Sequence, residues 1–436
     1  MEIRAFKGVR FNSNVVGDAG KCIAPPYDVI DSDGREKLYK QSEYNIVRVI
    51  KGEIFPDDSE NDNQYSRAGE TLSGWVGSGA LVKDKEKAVY AYVQDFDTGA
   101  ECFQRSGFIA LGKLKEFGEG VQPHEKTLDG PKADRLKLMQ ATNAQFGQIF
   151  MLYSDPEKIA DEIINKTIDE NPLIDFVDED KVRHRLFAIK DQGDIKAIAE
   201  MMGTKEPIIA DGHHRYETAL NYCKLSGSDK AKYRMMTFVN MKNEGLVILP
   251  THRLVSGLDE FDIENLLGEI KANFDITKIS FESDGEKKLA QKEMFKQMKN
   301  GFDEKTNSFG IYAASGAFHE ITLKNAGVMD SECGEMSDAA KKLDVNILHK
   351  LILEKVLGIG DEQLAGESNV KYIKDVGDAV EKSIGKVDTQ KSQAVFFMNP
   401  THIQQVEDIA AAGEKMPQKS TFFHPKIYTG LVVNKL

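Results

Sequence analysis

Cysteine is scarce in this chain. The four, Cys22, Cys102, Cys223 and Cys333, lie far apart in 436 residues and form no CxxC pair. That excludes a disulfide framework and the common zinc spacings, and it fits a reducing compartment. Long apolar runs are also missing: none approaches the roughly 18 residues of a membrane span. The start, MEIRAFKGVRFNSN, has no apolar centre of the kind a secretory signal carries. Positive charge is in deficit, with 57 Lys and Arg against 70 Asp and Glu and a net charge of −13. Such a balance argues against broad binding to nucleic acid, which needs a basic surface. HExxH, GxSxG and GxGxxG do not occur, so metalloprotease, α/β-hydrolase and dinucleotide oxidoreductase readings have no motif to stand on. The expectation is a soluble cytoplasmic protein with small-molecule partners, no nucleic acid and no membrane, its oligomeric state open and a homodimer among the options.

What is present is ordinary globular composition, 41% hydrophobic and 29% charged, in a chain long enough for two or three domains or for one domain with insertions. Short strand-like runs recur: NIVRVI (45–50), AVYAYVQDF (88–96), RSGFIALGKL (105–114), GQIFMLY (147–153), RLFAIK (185–190), PIIA (207–210), YRMMTFVNM (233–241), LVILPTHRLV (246–255), SFGIYAA (308–314), AFHEITL (317–323) and AVFFMN (394–399). Helix-like stretches lie between them at 154–170, 344–359 and 402–413, the second with Asp344 as its expected N-cap. Strands and helices mix without strict alternation, which predicts an α/β fold of the mixed α+β kind. A boundary is expected near residue 257, giving domains 1–257 and 258–436.

Four stretches carry chemistry. Only nine histidines occur, and two of them are adjacent in Asp211-Gly212-His213-His214-Arg215. PIIA before this run reads as a buried strand and RYETALNYCKL after it as a helix. The run therefore sits at a strand-to-helix turn, where free N–H groups and the positive dipole end favour phosphate. Gly212 allows close backbone approach, His213, His214 and Arg215 supply donors, and Asp211 can cap the helix, orient a histidine or hold Mg²⁺. A plain helix cap with two surface histidines is the bland alternative. In APPYDVI (24–30), a stiff Pro25-Pro26 either aims Asp28 into a pocket or leaves it in a turn. His124, Glu125, Lys126, Thr127, Lys132, Asp134 and Arg135 crowd into one short stretch, which suits either proton transfer and phosphate binding or a solvated loop. Lys419, Ser420 and Thr421 in MPQKSTFFHPK offer a cation and hydroxyls without a Walker A loop, or belong to a docking strand. Arg253, after the strand LVILP, is one more cation able to join such a pocket.

Taken in order, MEIRAFKGVR, APPYDVI, PHEKT with ADRLKLM, DGHHR, LDVNILHKLIL and MPQKSTFFHPK resemble the domain-of-unknown-function family numbered 1015, from Glu2 to Leu436. The DGHHR run with its following helix is also similar to the phosphate-binding motif of the ParB/sulfiredoxin-like superfamily, which includes free-serine kinases. That resemblance implies a ParB/sulfiredoxin-like phosphate-binding core with large insertions, and a C-terminal α/β region contributing the Lys419–Thr421 loop. It implies a phosphotransferase that makes O-phosphoserine from L-serine, with pyrophosphate, ATP or ADP as donor and Mg²⁺ as cofactor. Asp211, Gly212, His213, His214, Arg215, Lys419, Ser420 and Thr421 are then assigned to phosphate. Asp28, Glu125 and His214 are assigned to catalysis, His124, Arg253 and Arg48 to the acceptor, and Asp211 to the metal. The alternatives are a nucleotide-binding regulator of the ParB-like type and a phosphatase using the same histidines.

Overall fold

The computed structural model describes residues 1–99, 101–123 and 130–436. It is a mixed α/β protein built as two compact units. Among the described residues, one unit takes 1–123, 130–247 and 425–436, and the other takes 248–424.

The first unit is organised by a nine-stranded sheet. Its strands are β1 (Ile3–Arg4), β2 (Val89–Asp97), β3 (Cys102–Lys113), β4 (Gln122–Pro123), β5 (Ile149–Tyr153), β6 (Ile174–Val177), β7 (Arg183–Ile189), β8 (Ile208–Asp211) and β9 (Tyr233–Asn240). The spatial order is β4-β8-β5-β9-β3-β2-β7-β6, with β1 on β3. Pairing is antiparallel except for β4 with β8 and β5 with β9. The central strands IFMLY and YRMMTFVN are buried along their whole length, so both faces are covered, and apolar residues stand at successive positions instead of alternating. One core cluster joins Val89, Ala91, Phe108, Ile149, Met151 and Phe238 to the helices α5 (Ile159–Thr167) and α6 (Gln192–Gly203). A second apolar cluster gathers the N-terminal segment with α1 (Ser32–Gln41), α2 (Val47–Ile50), α3 (Gln64–Gly77) and α4 (Gly130–Thr142) around Phe11, Ile46, Leu72 and Trp75.

The run NIVRVI, expected as a strand, forms the short helix α2 with Val47, Val49 and Ile50 buried. A six-residue apolar run has no readable period, and here packing under α3 decided its state. The final segment returns to this unit. Thr429 exchanges backbone hydrogen bonds with Ala24, Val433 with Val9, and Asn434–Lys435 pairs with Ala144–Gln145.

The second unit carries a six-stranded antiparallel sheet: β10 (Thr251–Val255), β11 (Phe274–Ser280), β12 (Ser308–Tyr312), β13 (Ala317–Leu323), β14 (Val370–Lys374) and β15 (Ala394–Met398). The order is β11-β13-β12-β15-β10-β14. LVILPTHRLV is broken at Pro250, which lacks the N–H a ladder needs, into Val247–Leu249 and β10. One face packs on Leu266, Leu348 and Ile352, the other on Met294, Met298 and Ile384. The helix of 344–359 begins with Asp344 as its first helical residue, after Leu343 at the N-cap, and passes into a π-helical stretch over His349–Glu354. No helix among the described residues is long and apolar enough to cross a membrane.

Candidate functional site

Strand β8 delivers Asp211 to its carboxyl end, and the helix α7 (His213–Ser226) starts two residues later. Between them Gly212 takes φ 95°, a conformation that side chains rarely adopt. A Cβ there would also lie 3.0–3.1 Å from the Arg215 guanidinium. So Gly212 turns the chain and makes room for Arg215 to fold back over the turn. A register shift between Ile209 and Asp211 turns the strand end away from β5, a common device beside functional sites. His213 and Arg215 are buried, and His214 is half-buried.

Asp211 is the acid of this turn. Its Oδ2 lies 3.4 Å from Arg215 Nη2 and 3.4 Å from Lys426 Nζ. Burial pushes the carboxyl up, but Lys426, Arg215 and His213 together outweigh it and hold the group well below its ordinary range. Lys426 is held in turn. Gln94 Nε2 donates to its carbonyl at 3.0 Å, and the buried Arg105 donates to Gln94 Oε1 and to the carbonyl of Pro425. Arg105 lies over the Phe150 ring, and burial, partly offset by Tyr92 and Asp211, brings its pKa down to about 10. Deeper still, Tyr92 Oη lies 2.6 Å from His184 Nδ1, and His184 Nε2 lies 2.9 Å from Asp178 Oδ2. His184 stacks on Phe176 with ring centroids 4.7 Å apart. Tyr92 and His184 at the centre of this relay are buried. The relay stiffens the strands β2 and β7 from which Gln94 reaches Lys426.

Beside the turn is a cavity lined by Tyr27, Arg135, Gly147, Arg215, Arg234 and Thr429, closed by the apolar Ile50, Leu138 and Phe146. Arg215 Nη1 donates to the Gln148 carbonyl, Arg234 Nη2 to the Gly147 carbonyl at 2.6 Å, and Arg135 Nη1 to the Ile50 carbonyl at 2.8 Å. Arg135 pairs with Asp134 and stacks over Tyr27, its guanidinium carbon 4.1 Å from the ring centroid. Thus DGHHR, through Arg215, meets APPYDVI, through Tyr27, and the 130–142 helix, through Arg135, at one cavity.

The other sequence-assigned residues are placed as follows. Asp28 is exposed on the helical turn Tyr27–Val29, and the cap of α1 is Asp31. Arg48 does not line the cavity. It donates to the carbonyl of Tyr39 at 2.8 Å and stacks on that ring, fastening α2 to α1. His124 and Glu125 lie outside the described residues, as do Lys126 and Thr127. Arg253, Lys419, Ser420 and Thr421 belong to the second unit. There Arg253 is fully buried, donates to Thr251 O and lies 3.3 Å from both His349 Nε2 and Lys419 O. Ser420 Oγ donates to Pro417 O at 2.6 Å, and Lys419 is exposed with φ 58°.

Asp211 is a poor seat for a resident Mg²⁺. Two cations face its Oδ2, and among the described residues no group of three or more His, Cys, Asp and Glu can hold a metal ion. Arg105 and Arg234 escaped the reading by motif, their only signal a lone cation inside a strand-like run, in RSGFIALGKL and YRMMTFVNM; Lys426 closes the MPQKSTFFHPK stretch, of which only Lys419, Ser420 and Thr421 are assigned to phosphate.

No curated protein matches the chain. Among solved structures it is similar to a conserved hypothetical protein from Pyrococcus furiosus, 13% identical, covering 72% of this chain and 95% of that one at a TM-score of 0.33. A free serine kinase in complex with AMP is 11% identical over 71% of this chain and 91% of that one, at a TM-score of 0.33. SbnI with C-terminal truncation from Staphylococcus aureus is 9% identical over 73% and 84%, at a TM-score of 0.31. The family model described as "Protein of unknown function (DUF1015)" matches residues 3–346, which takes in APPYDVI, DGHHR and the start of LDVNILHKLIL, so the chain belongs to that family.

Proposed function

We propose that this protein is a phosphotransferase that moves a phosphoryl group from pyrophosphate, ATP or ADP to the hydroxyl of free L-serine. The observation that carries the phosphate part is the gathering of Arg215 and Lys426, each 3.4 Å from Asp211 Oδ2, at the β8–α7 turn where a helix N-terminus presents free N–H groups. The serine acceptor is supported by the likeness of the DGHHR run to that of free-serine kinases.

Phosphoryl transfer asks the protein mainly for in-line positioning and for charge opposite the phosphoryl oxygens. In this reading the α7 N-terminus, His213, His214, Arg215 and Lys426 hold the donor phosphates. Asp211 keeps Arg215 and Lys426 aimed, and Gln94 and Arg105 keep Lys426 in place. The serine Oγ attacks phosphorus, the Oγ–P bond forms, and the bond from phosphorus to the bridging oxygen breaks. The leaving phosphate, ADP or AMP takes that electron pair. The hydroxyl proton goes to a carboxylate, Asp28 among the described residues, with Glu125 assigned to the same task. A metal ion carried by the donor on its own phosphate oxygens enters as part of that substrate.

The test is to incubate the protein with L-serine, Mg²⁺ and each donor separately, and to look for O-phosphoserine by phosphorus NMR. Product with one donor is the expected result. His214→Ala should then lower kcat/KM by about 10²–10³ with the fold intact, the usual effect of losing one charge-stabilising donor. Folded protein that yields no product with any donor would remove serine as the acceptor.

A further inference from the structure

We propose that the cavity beside the β8–α7 turn is a binding site for one small oxyanion, with Arg234 as its central donor. Arg234 projects from β9 and is 4% exposed. Its Nη2 donates to the Gly147 carbonyl, while its Nε and Nη1 are buried without a partner. A guanidinium offers five donors in a planar fork and stays charged, so a buried one is normally paired with an acid. Its neighbour Arg215 has Asp211, and Arg135 has Asp134. No carboxylate is among the described residues that line the cavity. Burial, and then the charge of Arg215, pull the Arg234 pKa down to about 9, so the site carries an uncompensated charge at neutral pH.

The size limits the occupant. The cavity holds about 40 Å³, where one water needs roughly 10–15 Å³ of the same measure. A phosphate or a carboxylate fits that space. Gly147 keeps the wall thin: a Cβ there would lie 3.3 Å from Arg215 Nη1 and 3.4 Å from Thr429 Oγ1. The apolar side chains of Ile50, Leu138 and Phe146 keep the local dielectric low, which strengthens each charge-assisted hydrogen bond. This site does not depend on phosphoryl transfer. Phosphate and carboxylate share the chemistry, and the test separates them.

The experiment uses the full chain in a buffer free of oxyanions. Binding of inorganic phosphate, acetate and L-serine is measured by calorimetry and by the shift in unfolding temperature. The wild type should bind phosphate, or the carboxylate probes, or both. Arg234→Met should weaken that binding at least about tenfold. It should also unfold, without ligand, at or above the wild-type temperature, because an unpaired buried charge has gone. His214→Ala should keep the Arg234-dependent binding whether or not it keeps any phosphotransferase activity. Wild type that binds none of the three probes would overturn the proposal. So would Arg234→Met that binds as the wild type does, or binding lost in His214→Ala but kept in Arg234→Met. If Arg234→Met does not fold, Arg234→Lys, which keeps the charge and loses the fork, decides: binding weakened about tenfold supports the site, and unchanged binding overturns it.

Discussion

Gly212 does two things that no other residue type can do together. Its φ of 95° turns the chain from β8 into α7, and its missing side chain leaves the space that the Arg215 guanidinium fills. Gly212→Ala is therefore expected to cost on the order of 1–3 kcal/mol of stability from the backbone alone. It should also displace Arg215, so activity should fall further than stability. Thermal unfolding with a kcat/KM measurement checks this: a variant equal to wild type in both would mean that the turn relaxes freely. At this scale the sequence was readable where residue identity forces geometry. Gly between a strand and a helix, followed by His-His-Arg, announces a turn with donors. Arg234 announces nothing, because a charge inside YRMMTFVN looks like a strand residue facing water until the sheet is assembled around it.

At the scale of elements, short apolar runs were the ambiguous ones. NIVRVI reads as a strand from its β-branched residues, yet it forms α2 because burial beneath α3 suits a helical turn there. Longer runs such as YRMMTFVNM and AFHEITL came out as strands, since their length and flanking turns leave little choice. The helix beginning at Asp344 makes a further point. Asn307 Nδ2 donates to Asp344 Oδ1 at 2.7 Å, but burial dominates and pushes the Asp344 carboxyl up to about 7. The folded chain thus keeps a proton that the unfolded chain, with a carboxyl pKa of about 3.9, has already released. The stability due to this group is fully present below about pH 4 and is lost as pH rises through 7. Asp344→Asn keeps the Asn307 hydrogen bond and removes the titration. It should raise stability at pH 8 by on the order of 1–3 kcal/mol and change little at pH 4. Unfolding midpoints across that range decide it; a variant that melts below wild type at pH 8 would show that the ionised carboxylate is favoured there.

For the whole molecule, the chain's path matters most. Residues 425–436 return to the first unit after the whole second unit has been built, and they bring Lys426 to Asp211 and Thr429 to the cavity. Ending the chain at His424 removes both of these, together with Val433 from a core cluster and the strand pairing at Asn434–Lys435. Such a truncation should lose phosphate binding and lower the unfolding temperature of the first unit, by an amount larger than Lys426→Met alone. Equal melting of the truncated and full chains would show that the returning segment is dispensable for stability.

By itself the sequence determined the mixed α/β character and the strand-to-helix turn at DGHHR. These follow from local chemistry: hydrophobic runs and glycine's backbone freedom. Only the tertiary structure decided that Tyr27, Arg135, Arg215, Arg234 and Thr429 share one cavity. It also decided that Arg48 is a fastener of α2 to α1. The reason is physical. Whether a cation is paired, solvated or left waiting for an anion depends on what surrounds it in space, and those neighbours come from segments hundreds of residues apart.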